Sequence, residues 1–125
     1  MGFLPVTPAL ADSVPQVEYT VDTAPLILEA FAVKYGIESK SFIEVAKCES
    51  GVVATTWNKA DPHGGSKGVF QFQPDTFKKW SKEASLINAD VWNPYDNIET
   101  AAYMFSKKQQ KQWSCWSITQ GSRSP

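Results

Sequence analysis

The 125-residue chain has one histidine, His63, two cysteines, Cys48 and Cys115, and no Cys-x-x-Cys pair. A zinc site needs three or four His, Cys or carboxylate ligands at short spacing, so no metal and no cofactor is expected. Ser–His–Asp catalysis is unattractive for the same reason, because the sole histidine lies in a Gly-rich loop between Pro62 and Gly64-Gly65. No phosphate-cradling or dinucleotide-binding glycine motif occurs. Charge of one sign is missing too: the formal net charge is -1, which gives no overall pull toward nucleic acid or an anionic membrane. Lysines do gather at Lys78, Lys79 and Lys82 and at Lys107, Lys108 and Lys111, the pattern of solvated helix faces. No apolar run approaches the roughly 18–20 residues of a membrane span.

Aromatic residues are abundant, with five Trp, seven Phe and four Tyr. They supply a compact core, and Trp and Tyr are also stacking surfaces for sugar rings. The length suits one domain that buries about two-thirds of its unfolded surface. Residues 1–21 are rich in Pro and small side chains and read as a flexible arm or a signal-peptide remnant. Gly2 to Ala11 ends in Ala9-Leu10-Ala11, a small-x-small site, but lacks a basic start and carries Pro5 and Pro8. The catalytic domain is expected to span 22–125.

Helical patterning dominates that span. A first helix is predicted over 23–35, capped by Asp22 or Thr23, with Pro25 in its first turn and Gly36 as its stop. Leu26, Ile27, Ala30 and Phe31 are assigned to its apolar face. In the second helix Ser41 and Glu44 spell a capping box, and Phe42, Val45 and Glu49 follow at i, i+3 and i+7. Glu49 therefore closes an apolar stripe, where desolvation raises a carboxyl pKa toward the value a general acid needs. Residues 51–67 are polar and irregular and admit a short β-hairpin without demanding one. Within them Asp61 is the best second carboxylate, although before Pro62 it equally serves as an ordinary turn former. Pro74 opens a third helix over 74–84, with Phe77 and Trp80 on one face, and Asn93-Pro94 opens a fourth over 94–110. Tyr95, Ile98, Ala102 and Phe105 make that fourth helix the core-spanning one.

The two cysteines are either buried thiols or one bridge closing a long loop. The bridge is preferred, since Cys48 adjoins Glu49 and Cys115 lies in an aromatic tail. Such a bridge is worth roughly 4 kcal/mol by loop entropy and places the protein outside a reducing cytoplasm. What remains chemically is acid catalysis by a buried carboxylate, with amides and aromatics to hold a polar substrate.

Three segments carry a resemblance. Glu49-Ser50-Gly51, then Gly68-Val69-Phe70-Gln71 running to Pro74, then Asn93-Pro94-Tyr95-Asp96-Asn97-Ile98 before Ala101-Ala102-Tyr103 resemble the lysozyme-like lytic transglycosylase domain. The likeness covers about residues 25–116 and keeps the family's order and spacing. It implies a mainly α, lysozyme-like fold around a glycan cleft, with peptidoglycan strands as partner and no nucleic acid, membrane span or second subunit. The implied reaction breaks the bond between N-acetylmuramic acid and N-acetylglucosamine outside the cytoplasm. Glu49 is then the catalytic acid, and Ser50, Gln71, Gln73, Tyr103 and Trp113 are candidate substrate-binding residues. The family's usual Ala-Tyr-Asn-Ala-Gly segment is replaced by Trp113-Ser114-Cys115-Trp116. That departure leaves a hydrolytic lysozyme using Asp61, or a silent glycan-binding domain, as the alternatives.

Overall fold

A computed structural model describes residues 14–121. Five α-helices are described, α1 (Ala24–Tyr35), α2 (Ser39–Ser50), α3 (Pro74–Glu83), α4 (Pro94–Ser106) and α5 (Ser114–Gln120), with a single 3₁₀ turn at Gln110–Gln112. Between α2 and α3, β1 (Trp57–Asn58) and β2 (Ser66–Lys67) form a small antiparallel hairpin, with Trp57 opposite Lys67 and Asn58 opposite Ser66. The architecture is mainly α and lysozyme-like, as the resemblance implies.

The helices start where local chemistry allows. The Asn93 side chain accepts from the amides of Tyr95 (2.9 Å) and Asp96 (3.3 Å), and Pro94 follows it in the first turn, so α4 has a complete N-terminus. Helix α3 likewise begins at Pro74 with Asp75 in its first turn. Four expectations fail locally. The Ser41–Glu44 capping box does not form, because α2 starts at Ser39 behind Glu38, leaving Ser41 buried within the first turn and Glu44 bonded to Gln120. Thr23 precedes α1 without capping it, its hydroxyl being given to the Glu18 carbonyl at 2.8 Å. Helix α4 stops at Ser106 rather than 110, since the Met104 carbonyl takes the amides of both Lys107 and Gln109 and Lys108 turns left-handed. On α1 the buried face is Ala24, Ile27, Leu28, Phe31 and Ala32, whereas Leu26 is 51% exposed and Ala30 only partly buried.

One core joins these elements. Phe42 of α2 stacks on Phe70 with ring centroids 4.7 Å apart and meets Phe105 of α4 edge-on at 5.0 Å. Each such ring, fully buried, contributes about 1.5–3 kcal/mol of apolar transfer energy. Trp113 closes the cluster against Phe70, Phe72 and Phe105. The arm ahead of α1 is described only from residue 14. There Val17 donates its amide to the Tyr95 hydroxyl (3.1 Å), and the Tyr19 hydroxyl donates to the Val52 carbonyl (2.7 Å). The expectations for residues 1–13 lie outside the described residues.

Candidate active site

Glu49 is the penultimate residue of α2, one turn beyond Val45 and two beyond Phe42, both fully buried. Gly51, left-handed at φ 65°, ends the helix two residues later. The carboxyl thus sits where apolar packing gives way to a groove. Burial pushes its pKa up from the ordinary carboxyl value of 4.5 to about 7, the Cys115 backbone N–H pulls it back, and the negative charge of Asp61 raises it. The C-terminal end of the α2 dipole acts in the same upward direction.

A groove of about 180 Å³ runs past this carboxyl. Of the residues singled out from sequence, Glu49, Asp61, Gln71, Gln73 and Trp113 line it. Gln71 adopts φ 54°, and its Nε2 donates to the carbonyls of Gly68 (2.9 Å) and Thr56 (3.1 Å). With that nitrogen committed, Oε1 is the polar atom it offers to a ligand. Asp61 lies in the hairpin loop and at the groove. It braces the hairpin by accepting from Ser66 Oγ (2.5 Å) and Asn58 Nδ2 (3.2 Å), and it contributes its charge to the groove. Trp113 is a wall more than a platform, being 7% exposed with its indole N–H given to the Phe70 carbonyl at 2.8 Å.

Two candidates lie elsewhere. Ser50 does not line the groove; its hydroxyl donates to the Val69 carbonyl at 2.6 Å and ties the end of α2 to the following turn. Tyr103 stands apart as well, edge-on to Tyr35 and beside Trp80. The groove adds Ser66, Thr76, Gln112 and Ser114, none of which belongs to a recognisable motif of polar ligands. Asn97 was visible only as a letter in the Asn-Pro motif. It is fully buried, accepts the Phe70 amide at 2.9 Å and donates to the carbonyls of Val91 (2.9 Å) and Lys67 (3.3 Å). One amide therefore pins the Gln71 turn to α4. Gly68 makes room for it, since a Cβ there would lie 2.3 Å from Asn97 Nδ2, and its φ is 81°.

The run Gly64-Gly65-Ser66-Lys67-Gly68 also spells Gly-x-Ser-x-Gly. It is no nucleophile elbow: Ser66 lies in β2, and its hydroxyl is bonded to Asp61 rather than to His63. Among the described residues no group of His, Cys, Asp and Glu is arranged to hold a metal ion.

Cys48 and Cys115 are bridged, not two thiols, and the bridge links the residue before Glu49 to the second residue of α5. No described helix is long and apolar enough to cross a membrane. No curated protein and no solved structure matches this chain. Residues 27–118, however, match the transglycosylase SLT domain, a span that takes in all three motifs and the whole groove. Membership supports peptidoglycan-directed transglycosylase or lysozyme-like activity in general. With the acid, the glutamine turn and the Asn-Pro helix start all inside the matched span, the chain belongs to the transglycosylase SLT domain family.

Proposed function

We propose that the protein cleaves the N-acetylmuramic acid–N-acetylglucosamine bond of peptidoglycan by lytic transglycosylation, outside the cytoplasm and as a monomer. The observation that carries this reading is Glu49, a groove carboxyl held near pKa 7 by burial and met by one backbone N–H. At neutral pH a large fraction of it is protonated, and it gives its proton to the glycosidic oxygen as the bond to C1 breaks. The resulting carboxylate takes the proton from the muramic acid's C6 hydroxyl. That oxygen then closes on C1, giving a 1,6-anhydro end. Gln71 Oε1 and the Gln73 amide are the groups that hold sugar hydroxyls or N-acetyl groups along the groove.

A second reading is favoured by a specific observation. Asp61 lines the same groove and raises Glu49 electrostatically, as the second carboxylate of a hydrolytic lysozyme does. A silent binding domain accounts for neither, because a pure binder has no use for a desolvated acid. Mass spectrometry of peptidoglycan digests separates the readings: anhydro-muramic ends support the proposal, and reducing ends support hydrolysis. Undiminished digestion by Glu49→Gln protein sinks both enzymatic readings.

A further inference from the structure

The hairpin beside the groove carries an aromatic and cationic cluster that the reaction does not use. Trp57 and Trp92 are 48% and 37% exposed and meet edge-to-face at 6.0 Å. Lys59 Nζ lies 4.6 Å from the Trp57 ring centre, and Lys67 Nζ lies 5.5 Å from Trp57 and 6.0 Å from Trp92. Lys34–Glu99 is the one ion pair among the described residues, so neither Lys59 nor Lys67 spends its charge on a carboxylate there. Each ammonium is instead aligned by indole, which lowers the entropy lost when it takes an anion. The cluster adjoins the groove: Lys67 follows Ser66 in β2 and forms a backbone bridge with Phe72, and both neighbours line the groove.

We propose that Lys59 and Lys67, set on Trp57 and Trp92, form an accessory subsite for a carboxylate-bearing peptide substituent of the glycan strand. This rests on the reading of the groove as a glycan cleft. A muramic acid residue bound there carries its lactyl ether, and any peptide attached to it, out sideways from the sugar chain. Two ammoniums on the adjoining hairpin complement the carboxylates of that peptide, and the half-exposed indoles offer apolar contact to its side chains. The enzyme accordingly discriminates peptide-bearing strands from bare ones, a selectivity that Glu49 and the glutamines do not supply.

The test compares kcat/KM on three soluble glycan polymers: strands with intact peptides, strands stripped of peptides, and strands whose peptide carboxylates have been converted to amides. Wild-type protein is expected to favour the intact strands by about three- to tenfold, the scale of one or two half-exposed charge contacts. Amidated strands are expected to behave like stripped ones, and the preference is expected to shrink in about 0.5 M NaCl. The Lys59→Gln/Lys67→Gln protein is expected to lose the preference. Its thermal midpoint is measured alongside, so that a hairpin merely loosened is distinguished from a subsite removed. A preference that survives in the double variant, or that persists for amidated strands, overturns the proposal. If Glu49→Gln cleaves all three polymers as fast as wild type, the cleft reading itself has failed. Normal Glu49-dependent cleavage with equal rates on all three polymers sinks the subsite alone.

Discussion

Glu49 carries opposed demands on one carboxyl. Its folded pKa of about 7 stands above the ordinary 4.5, so the fold favours the protonated form. That contribution to stability is complete below about pH 4.5 and is lost as the pH rises toward and through 7. At pH 8 the partly buried charge therefore weakens the fold, by about 1–2 kcal/mol once partial exposure is discounted. Glu49→Gln is expected to be more stable than wild type by that amount in urea unfolding at pH 8, with the gain vanishing at pH 4. The same variant is expected to lose at least a hundredfold in peptidoglycan cleavage, the scale of a missing general acid. Wild-type kcat/KM should fall on the alkaline side with an apparent pKa near 7, because the first step needs the proton in place. Asn97 poses a different single-residue problem. Asn97→Ala removes three hydrogen bonds and strands the Phe70 amide in the core, and chemical denaturation is expected to show a loss of about 2–4 kcal/mol.

At the scale of elements, the hairpin and the glutamine turn present Asp61 and Gln71 to the acid on α2. Asp61→Asn removes a negative charge that raises Glu49, so the alkaline limb of the pH–activity profile should move to lower pH. In a transglycosylase that shift comes with modest loss of turnover; in a hydrolase relying on Asp61 the turnover falls by orders of magnitude. Much of this layout was legible in the chain. The start of α4 could be read because Asn93 and Pro94 act within one turn, and α1 and α3 carry local punctuation of the same kind at Gly36 and Pro74. Ser41–Glu44 misled because its letters fit a cap while tertiary packing buried the serine inside the helix. Ser50 misled differently: it adjoins the acid in sequence, yet the helical turn sends its hydroxyl to the Val69 carbonyl. Gln112 and Ser114 were illegible because only the return of the chain against α2 brings them to the groove.

For the molecule as a whole, the bridge from Cys48 to Cys115 governs that return. It closes a loop of 67 residues, worth about 4 kcal/mol by chain entropy. Helix α5 has seven residues, too short to persist alone, so its place depends on the bridge and on Trp113 packing into the core. A Cys48→Ser/Cys115→Ser protein is expected to melt more than about 10 °C lower in a single transition. It should also cleave glycan more slowly even at temperatures where circular dichroism shows it folded, because the Cys115 amide no longer meets Glu49.

That last contact gives the bridge a meaning apart from stability. Cys48 is exposed and Cys115 is buried, so the bridge runs from the surface into the core beside Glu49. The same pair of sulfurs that ties the end of α2 to α5 also sets the Cys115 N–H against the Glu49 carboxyl, so a covalent link far along the chain reaches the groove through one amide.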